Sequence, residues 1–212
     1  MLEAVSGQAH NLEVGGSIPP TATKYKYLMF TSITDLPLPQ VPQSIIDRLK
    51  LVMDSQTPIF TINNSSSFEI RTIPEDIISW TRDNITKDAE KVFLQTIDNG
   101  SSFVPHIDPI TPSGQIRYYN LLYLIDTGGE NVETCFYETT SEDLIKCRAT
   151  HVYKFPYSDV KLISKKAFKK NTWNLMNNQC IHSVEGITRT RMKLSLSFYS
   201  KDFPEFLKQY LL

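Results

Sequence analysis

The chain has 212 residues, with 22 basic and 23 acidic side chains and a formal net charge of −1. That length suits one domain able to bury its own core, and the near-balance of charge excludes a generally basic, nucleic-acid-coating protein. Hydrophobic residues at 41% and charged residues at 21% are ordinary globular usage, which excludes a disordered or fibrous chain.

Residues 1–20 carry few large apolar side chains and end in Gly-Gly and Pro-Pro, and they read as a loosely held arm before a single domain over 21–212. Ile45, Ile46, Leu49 and Val52 recur at helical spacing behind Pro42, with Ser44 as the expected cap. A second helix is expected after Pro74, where Glu75 and Asp76 open a turn followed by Ile77, Ile78 and Trp80. This helical support covers about 40–88. From about 90 to 200 the texture is β: KVFLQTI, QIRYYNLLYLID, NVETCFYE, HVYKFPY, VKLIS, TWNLMN and MKLSLSFY are short and rich in β-branched and aromatic residues. Gly128-Gly129, Pro112-Ser113-Gly114 and Asn99-Gly100 break them, and the lysine-rich KKAFKK at 165–170 reads as a solvated hairpin turn. Many short strands with few intervening helices predict an antiparallel sandwich or barrel.

Three cysteines, Cys135, Cys147 and Cys180, fit neither a disulfide framework nor a zinc cluster and favour a reducing compartment. No apolar run approaches the ~20 residues needed to cross a bilayer, and no basic-then-apolar leader opens the chain. A soluble, intracellular, cytoplasmic protein is expected, with no membrane and no nucleic acid among its partners.

The stretch FVPHIDP, 103–109, holds one of only four histidines. On an extended segment residues two apart share a side, about 6.6 Å along the chain, so His106 and Asp108 can converge on one ion. His182 is the best third donor. His10 lies in the arm, and His151 has no companion motif. Two histidines and a carboxylate with open positions suit non-haem iron(II). After His182, Met192, Leu194, Leu196 and Phe198 share one strand face. Arg189, Arg191, Lys193, Ser195 and Ser197 share the other, where a cation turned inward would hold a carboxylate.

The ordered series His106-Ile107-Asp108, then RYYNLLYLID, Gly128-Gly129, His182, and Arg191 nine residues later resembles the 2-oxoglutarate/iron(II)-dependent dioxygenases, in particular the prolyl-hydroxylase-like branch. The likeness covers roughly 90–200. It implies a double-stranded β-helix, a mainly β distorted jelly roll with N-terminal helices packed on one sheet. It implies iron(II) on His106, Asp108 and His182, with Arg191 on the far carboxylate of 2-oxoglutarate and Tyr123 as a second partner of that carboxylate. Arg189 or Lys193 could take the place of Arg191. Arg117 and Asn120, close after the metal loop, are candidates to touch substrate. The implied reaction is hydroxylation of an unactivated C–H bond, with dioxygen as cosubstrate, succinate and carbon dioxide as products, and ascorbate as an expected reductant. The implied substrate is an amino-acid side chain, peptidyl proline or similar. A free amino acid or other small molecule, a non-catalytic jelly-roll binding protein and a zinc hydrolase remain as alternatives. Cys180, two residues before His182, reads as a small buried apolar group rather than a ligand.

Overall fold

The structure, a computed structural model, describes residues 31–62, 68–99, 103–108, 115–139 and 153–211. The N-terminal arm, His10, Cys147, His151 and the Pro112-Ser113-Gly114 break lie outside the described residues.

Strand β1 (Ser32–Leu36) leads into helix α1 (Gln43–Ser55), the hairpin β2 (Phe60–Ile62) and β3 (Phe68–Arg71), and helix α2 (Glu75–Asn84). The strands β4 (Lys91–Ile97), β5 (Phe103–Ile107), β6 (Tyr119–Asp126) and β7 (Glu133–Glu138) come next. After β8 (Tyr153–Lys154) stand β9 (Lys161–Lys166), β10 (Trp173–Asn177), β11 (Ile181–Glu185) and β12 (Arg191–Phe198). Pro42 and Pro74 lie immediately before the two helices, where a fixed φ near −60° and a missing N–H cost nothing. Ser44 falls inside the first turn of α1 and makes no capping bond, so the expected serine cap is replaced by a proline entry.

All strand pairs are antiparallel and form two sheets, β1-β10-β6-β12-β4-β3-β2 and β8-β5-β11-β7-β9. The chain passes repeatedly between them, with β4, β6, β10 and β12 in the larger and β5, β7, β9 and β11 in the smaller. Four-strand blocks ordered 10-6-12-4 and 5-11-7-9 make this the expected double-stranded β-helix.

The main apolar core lies on the outer face of the larger sheet, not between the sheets. Ile45, Ile46, Leu49 and Val52 of α1 and Ile77 of α2 pack there with Leu94, Leu121, Tyr123, Leu175, Leu194 and Leu196. Each fully buried aliphatic side chain contributes about 1.5–3 kcal/mol by leaving water. Trp173 is buried in the same layer and donates its Nε1–H to the Pro39 carbonyl at 2.8 Å. With helices on its outer face, the larger sheet is free to turn polar residues inward, and β12 does so: Arg191, Lys193, Ser195 and Ser197 are all buried.

Two segments depart from expectation. Among its described residues, HVYKFPY supplies the two-residue β8 and then a 3-10 turn at Tyr157–Asp159. KKAFKK has exposed lysines but is no hairpin turn: it joins β9 to β10 in the other sheet, Lys165 and Lys166 close β9, and Phe168 is buried against Leu122, Leu124, Phe136 and Met176 between the sheets. The outermost strand of the smaller sheet, β9, exposes Leu162 and Ile163 at 43% and 48%, between lysines.

Candidate metal centre

β5 and β11 pair with His106 directly opposite His182, which brings the ring centroids to 4.4 Å. The register slips just beyond, because three steps from His106 to Phe103 face two from His182 to Val184. The extra residue falls at Val104–Pro105, where a proline with no N–H to give is tolerated at a bulge. Asp108 stands just past the end of β5. Its Oδ1 lies 3.8 Å from His106 Nε2 and 3.7 Å from His182 Nε2, and the donor atoms of all three residues lie within 4.8 Å of one another. Two cis donors at about 2.1 Å from one ion stand about 3 Å apart, so each imidazole has under ~1 Å to close on the carboxylate.

Both rings are set the same way. His106 Nδ1 meets the Val104 carbonyl at 2.9 Å, and His182 Nδ1 meets the Cys180 carbonyl at 2.9 Å. A carbonyl only accepts, so Nδ1 carries the hydrogen and Nε2 offers its lone pair to the centre. Burial, then the neighbouring His182, pushes the His106 pKa down to about 4, and burial lowers that of His182 as well. The imidazoles are therefore neutral ligands at neutral pH. Burial alone would raise the Asp108 carboxyl, but Arg117 and then the two histidines outweigh it and hold it below the usual range. Arg117 Nη1 donates to Asp108 Oδ2 at 3.2 Å, and its guanidinium lies 5.6 Å from the Phe93 ring centre.

The triad opens on a cavity lined also by Gln95, Asn120, Leu122, Phe168, Arg191 and Lys193. Arg191 is 2% exposed. It donates Nη1–H to the Thr127 carbonyl at 3.3 Å, and its Nε has no partner. Burial lowers its pKa to about 10. Lys193, 6% exposed, is lowered to about 7 by burial and then by Arg191. Asp108 is the only acid lining the cavity among the described residues. The donor set and these under-partnered cations fit a divalent ion together with an anionic ligand.

The expected residues separate cleanly. His106, Asp108, His182, Arg191, Lys193, Arg117 and Asn120 share the cavity. Tyr123 does not. It opposes Leu194 on the helix-covered face and donates its hydroxyl to Gln40 Oε1 at 2.9 Å, so it is no partner for a ligand in the cavity. Arg189 is exposed and pairs with Asp126 at 3.1 Å, outside the cavity. Cys180 packs against Leu122, Phe136 and Phe168, and burial raises its thiol to about 11, as suits an apolar filler. Gln95 and Phe168 line the cavity without having been expected there. Gln95 is detectable as the lone amide inside the apolar run of β4, and Phe168 as an aromatic stranded among lysines.

No family model and no curated protein matches the sequence. Solved structures do resemble it. A 2OG-Fe(II) oxygenase family oxidoreductase from Burkholderia pseudomallei is 10% identical, with TM-score 0.48 over 89% of this chain and 92% of its own. A Trichoplax adhaerens prolyl hydroxylase, in complex with a hypoxia inducible factor peptide fragment, is 12% identical, with TM-score 0.45 over 84% and 86%. A Pseudomonas putida prolyl-4-hydroxylase is 8% identical, with TM-score 0.42 over 81% and 92%. These similar structures are oxygenases. The functional reading of this chain stands on its own strand order and triad rather than on those scores.

Proposed function

We propose that the protein is an iron(II)- and 2-oxoglutarate-dependent oxygenase that hydroxylates an unactivated C–H bond of an amino-acid side chain, peptidyl proline or a similar residue. The observation that carries this reading is a His106–Asp108–His182 triad facing the same cavity as a buried, under-partnered Arg191. His106, Asp108 and His182 would hold iron(II) through three donors and leave the remaining positions open. Iron(II) held there would supply the oxidising chemistry, with 2-oxoglutarate and dioxygen as cosubstrates and succinate and carbon dioxide as the products.

The chain's own residues do the rest. Arg117 holds Asp108 Oδ2, which keeps Oδ1 turned to the histidines. Arg191 offers a planar fork to the far carboxylate of the oxo acid, where a bidentate pair is strongest. Ile97, opposite Arg191 on β4, and Val184 packed with it line the cavity at that end. Asn120, which accepts from Ser195 Oγ at 2.9 Å, and Arg117 are the polar groups placed to meet substrate. The motif order supports a peptidyl substrate. A zinc hydrolase would need a general base, and the cavity offers no second acid among the described residues.

The test is anaerobic reconstitution with iron(II) and titration with 2-oxoglutarate while visible absorption is monitored. A weak charge-transfer band in the wild type that is absent from His106→Ala supports the reading. Iron binding with no band at saturating oxo acid overturns it.

A further inference from the structure

The turn Asn178-Gln179-Cys180 joins β10 of the larger sheet to β11 of the smaller one, and it ends two residues before His182. Asn177, the last residue of β10, closes it. The Cys180 amide donates to the Asn177 carbonyl at 3.2 Å, and the Gln179 amide donates to Asn177 Oδ1 at 3.0 Å. An asparagine suits that place because its short side chain reaches the amide two residues on. The same turn supplies the carbonyl of Cys180 that accepts from His182 Nδ1 at 2.9 Å. Its backbone therefore sets one ligand of the triad directly.

The turn also holds the entry to β6. The Asn178 amide donates to the Tyr118 carbonyl at 3.0 Å, one step beyond the pair Asn177 and Tyr119. Gln179 reaches one residue further with its side chain, and its Nε2–H donates to the Arg117 carbonyl at 3.0 Å. Arg117 precedes β6 and lies in no strand, so this bond does for its backbone what the ladder does for the residues that follow. The side chain of Arg117 is the one that holds Asp108 Oδ2 at 3.2 Å. Gln179 thus stands two bonds in series behind a second ligand. A methionine has the same reach without the donor, and a glutamate would set its oxygens against a carbonyl oxygen.

We propose that Gln179 is a positioning residue for the metal centre, acting on Asp108 through Arg117. The inference rests on the reading of His106, Asp108 and His182 as metal ligands, and it needs neither cosubstrate nor substrate. Without the Gln179 bond the Arg117 backbone is free to shift, its guanidinium no longer fixes Oδ2, and Oδ1 loses its aim at the two Nε2 atoms. His182 keeps its own partner, because the Cys180 carbonyl belongs to the backbone of the turn and not to the Gln179 side chain.

The test is a cobalt(II) titration of the full chain, with wild type set against Gln179→Met, Gln179→Glu, Arg117→Met and the double variant Gln179→Met/Arg117→Met. Gln179 is half-buried, and thermal unfolding of the metal-free proteins checks that each variant folds. Gln179→Met is expected to bind cobalt(II) about threefold to tenfold more weakly than wild type, the effect of one lost hydrogen bond, and Gln179→Glu at least as weakly. The double variant binds no more weakly than Arg117→Met alone, because with the guanidinium gone Gln179 has nothing left to act through. A residue that only stabilised the turn would add its own loss to that of Arg117→Met, so additive losses overturn the proposal. A folded Gln179→Met with wild-type affinity overturns it as well. If wild type binds no cobalt(II), the metal reading falls and this inference with it. Failure of the oxygenase reading alone, seen as a missing charge-transfer band, leaves these titrations as expected.

Discussion

The two oxygens of Asp108 have different partners. Oδ2 is held by Arg117, and Oδ1 faces both Nε2 atoms. Without Arg117 the carboxylate could rotate and lose that division. Arg117→Met, which keeps an apolar stem over Phe93, is expected to weaken metal binding by about 10–100-fold, the usual effect of losing a partner that orients a ligand. A cobalt(II) or iron(II) titration measures it; unchanged affinity would mean Asp108 is positioned by its backbone alone. At this scale much of the centre was legible. His106 and Asp108 emerge from two-residue alternation, and an isolated His182 before a cation-bearing strand left few other donors. Arg117 was legible as a residue near the site, but its bond to Asp108 was not, because nothing in the sequence tells how the intervening loop folds back. Tyr123 shows the opposite case. A Tyr-Leu pair in a strand buried on both faces gives no sign of which frame points inward, and one step of register turns the phenol from cavity to core.

Among the elements, the turn after β6 matters most to β12. Gly128 has φ +86°, a conformation that side chains rarely adopt, and a Cβ there would stand 2.8 Å from the Arg191 Cβ. Its carbonyl also accepts from the Thr188 and Arg189 amides, at 2.8 and 3.0 Å, fixing the entry to β12. Gly128→Ala therefore meets both backbone strain and a direct collision. A loss of about 1–3 kcal/mol in unfolding free energy is expected, together with weaker 2-oxoglutarate binding as Arg191 is displaced. Chemical denaturation and the iron(II) absorption titration read the two effects, and an alanine variant as stable as wild type would show that the turn can relax. The Gly-Gly pair was legible as a break, and its contact with a strand some sixty residues later was not. The long strands β4, β6 and β12 carried clear patterns. The strands β1, β2, β3 and β8 are two to five residues long and owe their form to pairing rather than to their own composition.

For the molecule as a whole, stability and site occupy opposite sides of one sheet. The helices and the apolar layer hold the outer face of the larger sheet, so the inward face can carry charge at a cost the core offsets. Lys193 makes that cost depend on pH. Burial, then Arg191, lowers its pKa to about 7 in the fold against 10.5 for a free lysine, with Asp108 opposing and Arg117 adding to the shift. Between those values the unfolded chain binds the extra proton, so stability of the metal-free protein rises with pH from about 7 to 10.5, by up to about 1.4 kcal/mol per pH unit from this group. Lys193→Met should flatten that rise, as denaturation midpoints across the window would show; parallel profiles would mean that the ammonium is already paired.

The rim of the smaller sheet faces a different hazard. Strand β9 leaves a row of backbone donors and acceptors without a further strand among the described residues, and places Leu162 and Ile163 beside them. Such a rim is a template on which a second chain could add and polymerise. Lys161, Lys165 and Lys166 crowd the same six residues, Lys161 paired with Glu138 and Lys165 with Glu133, so an incoming copy would have to fit its own charged side chains against these. Charged side chains on an edge strand are the feature that discourages such growth.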